Sequence, residues 1–206
     1  MLPRQKKLLI SNRFRGLLPI VVDVETTGLN PQTDAILEIA AVVIDMDAAG
    51  KLFPLCHYEY QVEVFAGANV DPEALLITGI DPTHPLRYAI PVQQALRRLF
   101  AHIKQHLEIT HCRRGILVGH NAWFDLAFIQ AALKRNHIKT APIHSFTTFD
   151  TATLAGVALG ETVLAKAVRK AGIPFDVTKA HSAIYDAFRT AELFCYINNR
   201  WHSSIK

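Results

Sequence analysis

A strand-like apolar run that carries two acids on one side is the feature that most restricts how this chain can fold. Residues 20–29 read IVVDVETTGL. The β-branched run has the composition of a buried strand, closed by a turn over TTGLNP at residues 26–31. Side chains alternate faces along a strand, so Asp23 and Glu25 point one way while Val22 and Val24 point the other. In an apolar setting two crowded carboxylates need either protonation or a cation. Taken alone, a D-x-E pair more often marks an edge strand whose polar face is wet than a site.

The residues beyond this run set its surroundings. The stretch DAILEIAAVVIDMDAAGKL predicts a second strand centred on residues 39–44, turning near residues 47–50, and LCHYEYQVEVF at 55–65 alternates as a third. Together the three predict an antiparallel meander. Residues 71–79 predict a short helix with Asp71 as N-cap, Pro72 in its first turn and Gly79 as terminator. A longer amphipathic helix is expected over 91–107, a short buried strand over GILVG at 115–119 and a helix over 122–136. Asp150 is placed to cap the helix TATLAGVAL, with further helices over 162–171 and 182–201. Three strands, then helix, strand and helices, imply an α/β fold with a mixed sheet and helices on its faces. With no internal repeat or linker, residues 1–206 read as one domain whose core spans about 17–201.

Composition narrows the class. Half of the 206 residues are hydrophobic and 19% are charged, which excludes wholesale disorder. No apolar run reaches the roughly 18 residues of a membrane span. Arg4, Lys6 and Lys7 precede only LLI, too short for a signal-peptide core. Cys56, Cys112 and Cys195 are widely spaced and form no C-x-x-C, which suggests thiols in a reducing cytoplasm. The net charge is +4, with basic pairs at Arg13 and Arg15, Arg97 and Arg98, Arg113 and Arg114, Lys134 and Arg135, and Arg169 and Lys170. Basic pairs beside an acidic pocket suit a phosphodiester substrate, although any one pair also suits a solvated helix end.

Two further constellations stand out. In VGHNAWFDLAFIQAAL a buried strand runs into a helix with Asp125 in its first turn, the place where ligands collect in such sheets. In AHSAIYDAFRTAELF, His181 and Asp186 are five residues apart, which on an unbroken helix separates them by roughly 140°. With Ser182 as N-cap, His181 instead precedes the helix and both can face one pocket. A histidine there suits a general base for water.

The ordered set Asp23-x-Glu25, Asp125 in HNAWFD and His181 with Asp186 resembles the three motifs of the DEDD superfamily of 3′-to-5′ exonucleases, in its histidine-containing (DEDDh) branch. The likeness to one RNA-trimming group of that branch continues through NRFRG, LEIAA, ANVDPEAL, GIDP, TFDTATLAG and ALGETVLAKA, across nearly the whole chain. It implies a ribonuclease H-like fold, a homodimer, and trimming of the 3′ ends of tRNA and maturing stable RNAs, with activity on single-stranded DNA and no membrane partner. It also implies two Mg²⁺ ions about 4 Å apart, replaceable by Mn²⁺, which activate a water and stabilise the leaving 3′ oxygen. Asp23 would bridge the ions, Glu25 and Asp186 would complete one, Asp125 would support the other, and His181 would take the water's proton.

For the nucleic acid, the resemblance maps base-stacking phenylalanines onto Phe124 and Phe146 and a base-contacting glutamate onto Glu73. Leu29 and Ile77 stand where the group commonly has aromatic residues, so apolar contact remains with weaker stacking, and altered discrimination against a 3′-terminal cytosine is expected. A basic patch maps onto Arg13, Arg15, Arg114 and Lys139. Arg169 joins it from its own basic pair, and Glu108 interrupts it. Two alternatives share the motifs: a proofreading exonuclease subunit of a DNA polymerase, and an inactive nucleic-acid-binding protein. The latter would lack a carboxylate, and all four are present.

Overall fold

The computed structural model describes residues 9–204. A short helix α1 (Ile10–Arg13) leads into strands β1 (Leu17–Thr26), β2 (Ile36–Met46) and β3 (Leu52–Gln61). Then come α2 (Pro72–Thr78), α3 (Val92–Thr110), β4 (Arg114–Gly119), α4 (Ala122–Arg135) and β5 (Ile143–Asp150). The chain closes with α5 (Thr151–Leu159), α6 (Leu164–Lys170), a 3₁₀ turn at Val177–Lys179 and α7 (Ala183–Ser204). Arg4, Lys6 and Lys7, the basic residues followed by an apolar run too short for a signal-peptide core, lie outside the described residues.

The five strands form one mixed sheet in the order β3-β2-β1-β4-β5. The meander β1-β2-β3 is antiparallel, whereas β4 and β5 run parallel to β1. β1 is therefore central, which is why its sequence is apolar on both faces apart from the acids. Helix α7 crosses β1, β2 and β3, α3 packs on β2, β3 and β4, and α4 covers β1, β4 and β5. Phe128 and Phe194 are among the largest fully buried side chains, and burial of each such group contributes roughly 1.5–3 kcal/mol. Helices α5 and α6 back α7 through a smaller apolar cluster around Ala155, Val168 and Leu193. Among the described residues no single helix is long and apolar enough to cross a membrane.

At Leu52, the first residue of β3, a side chain takes the place of a further strand. Asn199 of α7 accepts from the Leu52 N–H at 2.8 Å and donates to the Leu52 carbonyl at 2.9 Å, standing in for a neighbouring strand. Such pairing blunts an edge that would otherwise present free backbone groups. β5 was not anticipated from the sequence. Its residues IHSFTTFD lie at the opposite edge with only Ile143 buried, so they carry no apolar alternation to betray a strand.

Candidate active site

The ladder between β1 and β4 ends at the Val21–Val118 pair, and β4 itself ends at Gly119. Past that point β1 keeps β2 on one side and loses its strand partner on the other. The Val24 N–H donates instead to Asp125 Oδ1 at 3.0 Å, a side chain from the first turn of α4. Asp125 is 4% exposed. It can come so close because residue 119 is glycine: a Cβ there would lie 3.0 Å from Asp125 Oδ2 and 2.9 Å from Ala122 Cα.

The start of α4 is held from outside. Asn121 is left-handed at φ 69° and its side chain caps nothing. Asp150 supplies the cap, accepting from the Ala122 N–H at 2.8 Å and, through its other oxygen, from the Thr153 N–H at 2.9 Å. One carboxylate thus satisfies the first turns of α4 and α5 together. The role at α5 was legible in the sequence; the role at α4 required the fold.

The approach to α7 resolves the angular difficulty of His181 and Asp186. His181 is left-handed at φ 63° and exposed, outside the helix. The Asp186 N–H donates to the Ser182 carbonyl at 3.0 Å, and Asp186 Oδ2 reaches back to accept from the His181 N–H at 2.9 Å. Glu25, His181 and Asp186 then offer ligand atoms that all lie within 4.8 Å of one another. Asp23, partly buried, precedes Glu25 by two residues on the same face of β1.

Crowding shows in the acid–base properties. Burial, then the neighbouring Asp125, Glu25, Asp186 and Glu38, hold Asp23 well above the usual carboxylate range. Glu25 is pushed up to about 8 by burial and by Asp186, Glu38 and Asp125. Burial likewise pushes Asp125 up to about 8 against the hydrogen bond from Val24. For Asp186 burial also raises the pKa, opposed by the His181 N–H and by the charges of His181 and His120. Asp186 Oδ1 is buried with no hydrogen-bond partner. Hard oxygen donors under mutual repulsion, one of them unpartnered, with an imidazole alongside, fit a divalent cation.

Two residues at the site have no distinguishing mark in the sequence. Glu38, 8% exposed, pairs with Glu25 across β1 and β2. Within LEIAA it looks like any strand residue, and only the strand register places it. His120 is anchored by Thr151 Oγ1 at 3.0 Å and the Thr162 carbonyl at 2.7 Å, and its charge acts on Asp186.

The expected nucleic-acid contacts separate into three groups. Leu29, Phe146 and Ile77 are 82%, 87% and 61% exposed. Glu73 is exposed in the first turn of α2, whereas Phe124 is half-buried between Trp123 and Phe128. The loop bearing Leu29 is tied to α2, which carries Ile77 and Glu73, because the Asp71 N–H donates to the Thr27 carbonyl at 2.8 Å and Thr27 Oγ1 donates to the Asn69 carbonyl at 2.6 Å. Arg15, Leu17, Arg113, Arg114, His144 and Thr147 line a cleft of about 420 Å³, and Arg114, Lys139 and His144 share a second of about 290 Å³. Arg113, in the sequence only half of a basic pair, belongs to this surface.

Two arginines depart from the expectation. The Arg13 guanidinium turns inward, donating to the Gly50 carbonyl at 3.4 Å and the Asn198 carbonyl at 3.3 Å, so it braces the β2–β3 turn against α7. Arg169 on α6 stands 5.7 Å from the Phe175 ring and lines neither cleft.

Known proteins resemble the chain in sequence and in fold. A family model described as exonuclease matches residues 20–194. Ribonuclease T of Hahella chejuensis is 55% identical over 192 residues, covering 93% of this chain and 88% of the relative, and that of Photorhabdus laumondii is 53% identical over the same length. Among solved structures, E. coli Exonuclease I in complex with a dT13 oligonucleotide superposes with a TM-score of 0.69 at 18% identity. That match covers 92% of this chain and 42% of Exonuclease I. The nuclease domain of 3′hExo, a DEDDh family member bound to rAMP, superposes with a TM-score of 0.67 at 15% identity, covering 91% of this chain and 92% of that domain. At such identities the superpositions establish the ribonuclease H-like fold, while the close relatives and the matched family model go further: the chain belongs to the exonuclease family and, within it, to the ribonuclease T group of metal-dependent 3′-to-5′ exonucleases.

Proposed function

We propose that the chain trims the 3′ ends of tRNA and other small stable RNAs in the cytoplasm, acts also on single-stranded DNA, and releases nucleoside 5′-monophosphates one at a time. The observation that carries the reading is the convergence of Glu25, His181 and Asp186, from a strand end, a loop and a helix start, with ligand atoms within 4.8 Å. Asp23, Glu25, Asp125 and Asp186 would hold two Mg²⁺ ions, or Mn²⁺ in their place. When bound, these ions supply Lewis acidity toward the attacking water and the leaving oxygen.

The chain's own groups do the rest. His181, in its loop beside Asp186, accepts a proton from the attacking water. The water oxygen bonds to phosphorus, the bond to the 3′ oxygen of the preceding nucleotide breaks, and that oxygen takes a proton from solvent to become the new 3′-hydroxyl. Asp125, locked to Val24, keeps its carboxylate aimed at the end of β1. Phe124 and Phe146 offer rings to the terminal bases, with stacking worth about 1–3 kcal/mol per base. Leu29 and Ile77 extend the apolar contact without stacking, and Glu73 contacts a base edge.

The clefts around Arg15, Arg113, Arg114 and Lys139 would carry the RNA backbone. A C2 homodimer would let one subunit's clefts feed the other's active site. The inward turn of Arg13 favours a bracing role for it, and Arg169 stands as an outlying contact. The names of the close relatives support RNA over a polymerase-bound proofreading role. Mg²⁺-dependent digestion of 5′-labelled tRNA with an extended 3′ end, beside a mismatched DNA primer, tests this. Faster removal of the RNA extension is expected; preference for the mismatched primer would favour proofreading.

A further inference from the structure

Glu38 is a carboxylate at the site for which the metal reading has no use. It lies opposite Glu25 in the β1–β2 register, so the two side chains share a face. A charge this deep is costly unless its oxygens are hydrogen-bonded. Each oxygen of Glu38 has a donor from a different element: Gln61 Nε2 on β3 at 3.3 Å, and the Ala183 N–H at 3.3 Å. Ala183 is the first residue of α7, the helix whose first turn holds Asp186.

That helix start needs fastening. The first N–H groups of any helix have no partner within it, and its positive end favours an anion. Just before it, His181 sits in a left-handed conformation that non-glycine residues keep only where their surroundings over-determine it. Two carboxylates supply that determination. Asp186 holds the His181 N–H from within the helix, and Glu38 holds the Ala183 N–H from the sheet. Both Glu38 oxygens are taken, whereas Asp186 Oδ1 has no partner, which separates a fastening carboxylate from a ligand.

The structure assigns Glu38 the role of a positioning residue, which pins the start of α7 to β2 so that His181 and Asp186 face Glu25. This assignment rests on the carboxylate metal site of the proposed function. Reach and charge make opposite demands, and two variants separate them. Glu38→Gln keeps an oxygen at the same reach without the charge; Glu38→Asp keeps the charge but falls short of Ala183.

The test measures kcat, KM and the Mg²⁺ requirement on a single-stranded RNA, with circular dichroism melts to confirm folding and Asp23→Asn in parallel. Expected are near wild-type kcat for Glu38→Gln and, for Glu38→Asp, a kcat lowered by about 10–100-fold, the usual cost of losing an outer-shell partner, with KM unchanged. The reverse order, with Glu38→Gln inactive and Glu38→Asp active, would make the charge essential and overturn the assignment. So would wild-type kcat in both. Wild-type hydrolysis by Asp23→Asn would instead overturn the metal site itself, whatever Glu38 does.

Discussion

At the scale of single residues, the site is a set of acids that burial and mutual repulsion push toward their neutral forms until a cation offsets the charge. Glu25 and Asp125, both pushed up to about 8, would retain protons near neutrality in the absence of metal. In the unfolded chain the same groups release theirs at the ordinary carboxylate values near 4. Their folded pKa values are raised, so they stabilise the metal-free protein fully below about pH 4, and that contribution is lost as the pH rises through about 8. Thermal melts in EDTA should therefore show a melting temperature that declines from pH 5 to pH 9. Mg²⁺ should flatten the decline, because it binds the deprotonated acids and drives protons off. A metal-free melting temperature that rises over this range would contradict the assignment of those shifts.

At the scale of elements, the site forms where three of them end. β4 stops at Gly119, α4 turns back to offer Asp125 in place of a strand, and α7 begins beside Glu25. Gly119→Ala tests how tightly this is built. The backbone there is not left-handed, so the penalty is one of space, against Ala122 and Asp125. Displacing Asp125 by about 1 Å is expected to lower kcat on the order of 100-fold, as small misplacements of catalytic groups do. A variant with unchanged kcat would show that Asp125 has slack.

Much of this architecture is legible in the sequence. The meander, the capped ends of α2 and α5, and Ser182 before α7 come from local chemistry, because a cap or an alternation is written in adjacent residues. β5 is not, since an exposed edge strand has no apolar pattern. Nor are Glu38, the second bond of Asp150 and the inward turn of Arg13, which depend on partners 145, 28 and 185 residues away.

At the scale of the whole molecule, an acidic pocket coexists with basic clefts on a chain of net charge +4. If a second copy supplies the clefts, trimming of tRNA should fall on dilution in step with loss of the dimer seen by sedimentation; a monomer trimming at the full rate would remove the need for a partner subunit. The central claim, that the acids at the end of β1 hold metal for hydrolysis, is narrower and can be tested with one atom changed. Asp23→Asn should be measured for Mg²⁺-dependent hydrolysis and for RNA affinity in the same preparation. The account predicts that hydrolysis falls by more than the roughly 10–100-fold that an outer-shell loss costs, while RNA still binds; hydrolysis at the wild-type rate would contradict it.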